Sequence, residues 1–501
     1  MVSLFKAYDP MRINYLLVLS LFIMSALGGC DSQTEEPKTE IEERQIDIRD
    51  LDEIKEDGKL RVLITYSSTS YFLYKGQPMG FEYELLERLA EYLGLELELV
   101  VADDLDAQFD KLVLGDIDLL ADGMTITQDR KERVSFTDYL YLVKQVLVQK
   151  KPDNWRRISW SNLQKELIHD PIELIGDTVT VRKSSSYYER LVNLSNEVGG
   201  EIIVDTSISG EISTDEIIKM VAEGKIKYTV ADDNLAKINS SYYPVLDIGV
   251  QMSFSQRIAW AVNKKAPKLL NAINEWIDKE RKRTDYYVIY NKYFKNKRRF
   301  KRRIKSEYYS INNNQISQYD DLIKKYAANL GWDWRLLASQ VYQESRFVPH
   351  AESWAGAKGL MQVMPATATE LGITDKSDPE QSLRGGTDYL KHLYDRFPDI
   401  PDSLNRVKFT LAAYNCGYQH VRDAQRLAEA EKLNKNVWDG NVKEMVLALS
   451  YPKNYRKDMV KYGYVRGIEP VTYVDQIFER YDHYKTFIEI EDSDYSTLSA
   501  L

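Results

Sequence analysis

The sequence predicts two folded domains, an α/β domain followed by an all-α domain. In the first half of the chain, strand-like apolar runs alternate with helical patterns, which is the order typical of an α/β domain. After about residue 317 the strand signals stop, and helical patterns continue to about residue 484. A chain of 501 residues has room for about three units at roughly 150 residues per domain. Two domains with terminal and linking segments fit that length.

The composition is that of an ordinary soluble globular protein, with 44% hydrophobic and 29% charged residues. The net charge of -10 argues against a nucleic-acid partner, which favours a basic surface. The cysteines are Cys30 and Cys416, which lie far apart in separate contexts. This pattern excludes a disulfide framework and a metal site built from cysteines. We expect no metal and no cofactor.

The N-terminus has the order of a secretory signal. Lys6 and Arg12 precede the apolar run Ile13–Leu27, and small residues follow it. The run is short for a membrane-spanning helix, which needs about 20 apolar residues. The stretch "LGGC" that ends at Cys30 resembles the lipobox of bacterial lipoproteins, in which the cysteine is acylated. The alternative is an uncleaved anchor with an incidental cysteine.

Residues 1–29 are therefore predicted to be a lipoprotein signal peptide, and residues 30–50 a polar tether. Both interpretations of the N-terminus place most of the chain outside the cytoplasm. We expect a lipoprotein of the cell envelope that faces the periplasm, with the outer membrane as its expected site. Stable anchoring takes more than one acyl chain.

The α/β domain is predicted over residues 51–298. Leu60–Tyr66 is a strand of the buried type, and Gly80–Gly94 has apolar residues at helical spacing before a closing glycine. "LELELVVA" is a further strand, and "AQFDKLVLGDIDLLADG" predicts helix, turn and strand. The alternation resumes at "DTVTVRKSSSYYERLVNL" and ends near "RIAWAVNKKAPKLLNAINEWIDK".

A basic segment follows the α/β domain. Residues 281–305 are rich in lysine and arginine, and residues 299–316 are predicted to be a basic linker. One interpretation is attraction to an anionic surface such as lipid headgroups or cell-wall polymer. The other is a solvated linker helix, since runs of charge are usually just solvated. Both interpretations stay open at the sequence level.

The all-α domain is predicted over residues 317–486, and an acidic tail over residues 487–501. One of its helices, "WRLLASQVYQES", has Asp333 as a plausible N-cap. An apolar stripe at three- and four-residue spacing runs along it: Trp334, Leu337, Ala338 and Val341. Glu344 continues that stripe, so we expect it to face the core.

A position that faces the core would suit Glu344 to act as a general acid. Desolvation raises the pKa of a carboxyl group, and a general acid that works near neutral pH needs such a rise. The alternative is that the helix ends here, and that Glu344 turns to solvent or caps a neighbour. Position in the helix does not decide between these interpretations.

Four pieces in order resemble the lytic transglycosylase family with the lysozyme-like fold: "ES" at Glu344, "GAKGLMQVMP" (Gly356–Pro365), "AAYNCG" (Ala412–Gly417) and "EPVTYVDQIF" (Glu469–Phe478). The resemblance covers about residues 317–485. Each piece is weak evidence alone, whereas the four together at this spacing are specific to the family.

The resemblance implies roles for individual residues. Glu344 would be the catalytic acid/base, with Ser345 lining the site beside it. Other residues would shape the glycan groove or contact the sugar: Gly359, Leu360, Met361, Gln362, Tyr414 and Asn415. Tyr473 would form a hydrogen bond near Glu344 and help to set its protonation.

One carboxylate suffices for the reaction that the family implies. Hydrolytic glycosidases use two carboxylates, whereas in this family the C6 hydroxyl of N-acetylmuramic acid attacks the anomeric carbon and leaves a 1,6-anhydro ring. An intramolecular nucleophile has a high effective molarity. Glu352 is a possible second carboxylate, which would make the chain a lysozyme-type hydrolase. A glycan-binding sensor lipoprotein is the other alternative.

The α/β domain resembles family 3 solute-binding proteins, the two-lobed periplasmic proteins of the amino-acid-binding type. "GFEYELLERLAEYLG", "DLLADGMTITQDRKERVSFTDYLYLVKQVLVQK" and "TVTVRKSSSYYERL" carry the resemblance, which covers about residues 55–295. It implies that Arg130, with Thr125, binds the ligand's α-carboxylate, since a guanidinium and a carboxylate form a strong bidentate pair. Ser186 and Asp232 would come from the second lobe, and Asp232 would hold the ligand ammonium.

Two alternatives remain for this domain. Asp233 could replace Asp232 as the ammonium partner. The domain could also have kept its fold as a spacer without a ligand, in which case Arg130 would pair with Asp129 or Glu132.

Together, the two domains behind a lipobox resemble the membrane-bound lytic transglycosylase F group. The expected partners are peptidoglycan glycan strands, an amino acid or muropeptide that regulates the enzyme from the first domain, and a membrane reached through Cys30.

Overall fold

The computed structural model describes residues 48–102, 105–183, 185–208, 212–311 and 313–488. The predicted signal peptide, Cys30, most of the predicted tether and most of the acidic tail lie outside the described residues. The predicted fold class is confirmed: a two-lobed α/β domain is followed by a helical domain. Among the described residues, no helix combines the length and apolarity needed to cross a membrane.

The first lobe is built on a mixed sheet. Its strands lie in the order β4 (Glu96–Ala102), β1 (Lys59–Thr65), β5 (Leu119–Thr125), β13 (Gln256–Val262) and β6 (Ser135–Phe136), and β7 (Tyr141–Val143) also pairs with β13. β1 is parallel to β4 and β5, whereas β13 is antiparallel to β5. The inner strands are apolar runs because helices cover them.

The second lobe has two small sheets. β8 (Gln145–Lys150) lies between β11 (Tyr228–Asp232) and β12 (Leu246–Asp247), and β9 (Thr178–Thr180) is parallel to β10 (Ile203–Asp205). The chain crosses between the lobes twice, from β7 to β8 and from β12 to β13. The remaining strands, β2 (Phe72–Tyr74) and β3 (Gln77–Met79), form a hairpin.

The helices of the α/β domain and the following segment are α1 (Leu51–Asp57), α2 (Phe81–Leu93), α3 (Leu105–Leu114), α4 (Gln128–Arg133), α5 (Trp160–Lys165), α6 (Ser186–Val198), α7 (Thr214–Glu223), α8 (Asp233–Tyr242), α9 (Pro267–Glu280), α10 (Thr284–Tyr290) and α11 (Lys297–Ile304). Helix α11 lies in the basic segment, and it is packed on one side. Phe300 and Arg303 are buried, and the Arg303 guanidinium lies 4.9 Å from the ring centre of Phe72. The remaining cations of α11 are exposed.

The helical domain comprises α12 (Asp320–Leu330), α13 (Trp334–Ser345), α14 (Pro365–Glu370), α15 (Pro379–Asp395), α16 (Ser403–Cys416), α17 (Tyr418–Ala430), α18 (Lys443–Ala448), α19 (Pro452–Tyr455) and α20 (Ile468–Phe487). α13 runs through its core: every residue from Trp334 to Val341 is buried. It packs against α12 and α20, and α20 also packs against α16.

The C-terminal part of α20 contacts the α/β domain. Tyr484 donates a hydrogen bond to the Gly76 carbonyl at 2.8 Å, and the Tyr71 hydroxyl is hydrogen-bonded to the His483 ring. The Phe487 ring packs 4.6 Å from that of Tyr71. The helix that reaches the α/β domain is therefore the same helix that carries Tyr473.

Candidate active site and ligand pocket

Glu344 lies in the last turn of α13. Asp333 accepts a hydrogen bond from the Arg335 amide at 2.9 Å, which confirms it as the N-cap. Arg346 ends the helix in the left-handed conformation, with φ of 51°. Glu344 is half-buried, whereas Ser345 beside it is buried. Its carboxyl group thus lies at the edge of the core.

The carboxyl group of Glu344 is bound by a tyrosine from a distant helix. The Tyr473 hydroxyl donates a hydrogen bond to Glu344 Oε1, and Gln340 Nε2 donates to the Tyr473 hydroxyl at 3.2 Å. Gln340 is fully buried and lies one turn before Glu344 on α13. Gln340 is not among the residues predicted from the sequence, although its spacing of four residues from Glu344 places both on one helix face.

The surroundings favour a protonated Glu344. Burial raises the pKa of Glu344 to about 7, and the hydrogen bond from Tyr473 opposes that rise. A carboxyl group with such a pKa is able both to donate and to accept a proton near neutral pH.

The glycine-bearing loop is fixed by close backbone contacts. Gly359 has φ of 86°, and a Cβ there would lie 2.0 Å from the Lys376 carbonyl oxygen. Gln362 donates from its side chain to the Ala351 carbonyl at 2.9 Å and to the Gly359 carbonyl at 3.0 Å. The Gln362 side chain therefore braces the loop from within.

Helix α16 holds the other side of this loop. The Tyr414 hydroxyl donates to the Met361 carbonyl at 2.7 Å, and the Met361 side chain is fully buried. The charge of Glu344 is among the causes that raise the pKa of Tyr414, so these two groups lie near each other. The structure thus brings Glu344, Tyr414 and Tyr473 together.

Other predicted site residues have different surroundings. The Ser345 hydroxyl donates to the Val341 carbonyl of its own helix at 3.1 Å. Asn415 is exposed. Glu352, the alternative second carboxylate, pairs with Lys358 at 2.9 Å and has a side chain that is 53% exposed.

The four ligand-binding residues predicted in the α/β domain line one cavity of about 140 Å³ between the lobes. Thr125 and Arg130 come from the first lobe, and Ser186 and Asp232 from the second. The Ser186 hydroxyl donates to the Thr125 hydroxyl at 3.3 Å. Arg130 donates to the Thr125 carbonyl at 3.0 Å. The cavity thus contains a guanidinium, a carboxyl group and two hydroxyls, which could bind the charged groups of an amino acid.

The two candidate ammonium partners differ. Asp233 accepts a hydrogen bond from the Lys144 amide at 3.0 Å and pairs with Lys237 on the surface. Asp232 lines the cavity, and its Oδ1 is buried without a hydrogen-bond partner among the described residues. Burial raises the pKa of Asp232 to about 7. The geometry favours Asp232.

Four further charged residues line this cavity and are not among those predicted from the sequence: Glu82, Asp122, Arg182 and Asp215. Glu82 lies in the quoted "GFEYELL" and Arg182 in "TVTVRKS", yet neither spacing nor composition shows that these segments meet across the lobes.

Comparisons with known proteins agree with this architecture. Residues 321–437 match the transglycosylase SLT domain, and residues 51–296 match bacterial extracellular solute-binding proteins, family 3. A protein of Desulfosudis oleivorans, named membrane-bound lytic murein transglycosylase F, is 37% identical over 87% of this chain and 92% of its own length. A protein of Photobacterium profundum with the same name is 31% identical over 95% of this chain and 87% of its own length. Another from Pseudomonas putida is 33% identical over 94% of this chain and 90% of its own length. The chain belongs to the membrane-bound lytic murein transglycosylase F family.

Proposed function

We propose that this lytic transglycosylase cleaves the β-1,4 bond between N-acetylmuramic acid and N-acetylglucosamine in peptidoglycan, with Glu344 as its one acid/base. The observation that carries the proposal is the Glu344 carboxyl group at the edge of the core, where burial raises its pKa to about 7 and Tyr473 orients it. Family membership supports the reaction class.

The proposed reaction needs no water. Glu344 protonates the glycosidic oxygen as the bond from that oxygen to the anomeric carbon breaks. The C6 hydroxyl oxygen of the same N-acetylmuramic acid then bonds to that carbon, and Glu344 takes up the hydroxyl proton. The substrate's N-acetyl group stabilises the positively charged intermediate. The enzyme ends in its starting protonation state.

Two other functions compete with this one. A lysozyme-type hydrolase would need a second carboxylate to act on water, and a sensor that only binds glycan would need no buried acid. The pairing of Glu352 with Lys358 and its exposure support the non-hydrolytic reaction. The contacts among Gln340, Tyr473 and Glu344 support an enzyme over a binder.

The first test is the substitution Glu344→Gln, which keeps the shape of the side chain and removes the proton. We expect cleavage of purified murein to be lost, while thermal unfolding shows a folded protein. Substantial cleavage by a folded Glu344→Gln variant would remove Glu344 from the proposed role.

We further propose that the α/β domain binds an amino acid or a cell-wall peptide fragment, and that this ligand regulates cleavage. Arg130 and Thr125 would bind its α-carboxylate, and Asp232 its ammonium, with Ser186 closing the site from the second lobe. Regulation requires that the ligand bind two states of the enzyme with different affinity. If candidate ligands change neither thermal stability nor cleavage rate, this proposal fails.

A physical connection supports this regulation. Ser67, Thr69 and Ser70 line the ligand cavity, and the next residue, Tyr71, is hydrogen-bonded to His483 on α20. Ten residues earlier, the same helix presents Tyr473 to Glu344. A shift of the cavity loop therefore has a direct route to the acid.

We also propose that Cys30 carries lipid and holds the chain on the outer membrane, facing the periplasm. The basic, apolar and small-residue order before Cys30 supports this proposal. Cys30→Ala should release the protein from the membrane fraction of cells, and retention of that variant in the membrane would contradict lipid anchoring.

A further inference from the structure

The cavity between the lobes contains a second guanidinium group that the ligand contacts proposed above do not use. Arg182 follows β9 closely and lines the cavity together with Arg130. Its Nε is buried without a hydrogen-bond partner, and within the described residues its side chain forms no ion pair. A buried charged donor without an acceptor is costly. An acceptor supplied by a ligand would remove that cost.

Among the described residues no carboxyl group of the cavity accepts a hydrogen bond from Arg182 Nε, although the charge of Arg182 opposes the rise that burial causes in the pKa of Asp122. Glu82 accepts a hydrogen bond from the Trp260 indole at 2.6 Å, and Asp122 accepts one from the Thr65 hydroxyl. Asp215 is bonded by two neighbouring groups. Burial raises the pKa of all three, that of Glu82 to about 8. Each of these three acids has a neighbour that donates a hydrogen bond to it, whereas Asp232 Oδ1 has none among the described residues, so the geometry leaves Asp232 as the open acceptor for a cationic group.

We propose that the cavity binds an α-amino acid that carries a second acidic group, and that Arg182 binds this second anion while Arg130 binds the α-carboxylate. The proposal rests on the ligand-binding function proposed above for the α/β domain. Asp232, whose Oδ1 has no hydrogen-bond partner in the part of the chain that the structure describes, takes the ligand ammonium. Arg130 and Arg182 thus face the two anionic groups of the ligand, and Asp232 faces its ammonium.

The size and lining of the cavity agree with such a ligand. Its volume of about 140 Å³ is well below the roughly 300–1,000 Å³ of sites for drug-sized molecules, so it suits a single amino acid. Tyr66 and Ser70 also line it, and the Ser70 hydroxyl is buried without a hydrogen-bond partner among the described residues. These neutral groups add hydrogen bonds without changing the preference for charge.

Glutamate and glutamine provide a matched pair of probes, because they have nearly the same shape and differ in side-chain charge. Calorimetric titration of the full chain should show glutamate binding about tenfold or more tightly than glutamine, as expected for a charge-assisted contact. Arg182→Gln should remove this preference, so that glutamate and glutamine bind with similar affinity. Lys183→Gln, at the exposed neighbouring position, should keep the preference.

The outcomes separate this proposal from those that precede it. If glutamine, or arginine and lysine, bind more tightly than glutamate, the role of Arg182 is wrong while ligand binding by the domain stands. If none of the amino acids binds, the proposal for Arg182 fails, and the ligand-binding proposal of the α/β domain then depends on a cell-wall peptide fragment as the ligand. If Arg182→Gln does not fold, the comparison of glutamate with glutamine in the wild type still tests whether the cavity prefers a second anionic group.

Discussion

At Glu344, two opposing influences set the state of one proton. Burial disfavours the charged carboxylate, and the Tyr473 hydroxyl favours it. Because the pKa of about 7 lies near neutral, small changes in either influence change the fraction of enzyme that is ready to protonate a leaving group. Gln340 adds to this control by donating to Tyr473.

The pH dependence of cleavage tests this account. In the wild type, the rate should fall as pH rises through about 7, because the acid loses its proton. Tyr473→Phe removes the donor that favours the carboxylate, so the pKa of Glu344 should rise and the fall should move to higher pH. The maximal rate should also drop about tenfold, because the lost hydrogen bond reaches a charged group. An unchanged pH profile in a folded Tyr473→Phe variant would contradict this role.

The same pKa has a consequence for stability. Between the usual pKa of a glutamate and about 7, the folded state holds a proton on Glu344 that the unfolded state has released. The free energy of unfolding therefore falls as pH rises through this range. Glu344→Gln has no such proton, so its melting temperature should exceed that of the wild type at pH 8, and the difference should shrink by pH 5. Thermal unfolding at both pH values measures this, and a difference that grows on acidification would contradict it.

At the scale of elements, the loop after α13 depends on one crowded glycine. Gly359 combines a positive φ with a Cβ position 2.0 Å from a backbone oxygen, whereas Gly372 has a φ of 64° and open space around it. Gly372→Ala should cost only the strain of a left-handed alanine, about 1–2 kcal/mol. Gly359→Ala should destabilise the fold more and also lower murein cleavage, because the backbone must move. Equal losses in the two variants would show that the contact with Lys376 is unimportant.

Local patterns predicted most of the elements. The cap at Asp333, the buried stripe on α13 and the strand at Leu60 follow from spacing within a few residues, and the structure has all three. The bracing of the loop by the Gln362 side chain was not predictable, because a glutamine at a positive φ, here 49°, leaves no local signal. Arg182 and Gln340 were missed for a related reason: the groups that surround them in the fold lie far away in sequence.

At the scale of the whole molecule, the contact between domains could not be predicted from either domain alone. Tyr71 and His483 are 412 residues apart in sequence, and each belongs to a pattern that local rules interpret as ordinary core. Burial lowers the pKa of His483 to about 3, so the ring is neutral and serves as a hydrogen-bonding group between the domains.

This contact makes a prediction about regulation. Tyr71→Phe keeps the ring packing and removes the hydrogen bond to His483. We expect ligand-free murein cleavage to be retained and the effect of a bound amino acid on the rate to shrink, because the cavity loop is uncoupled from α20. Tyr92→Phe, a half-exposed tyrosine on the same lobe, is the matched control. A ligand effect as large in Tyr71→Phe as in the wild type would exclude this route.

The most direct test of the central claim is the mass of the products released from purified murein. We expect products that end in 1,6-anhydro-N-acetylmuramic acid, because the second nucleophile is the substrate's own C6 hydroxyl. Products heavier by one water, with reducing ends, would mean that Glu344 activates water after all and that the enzyme is a hydrolase.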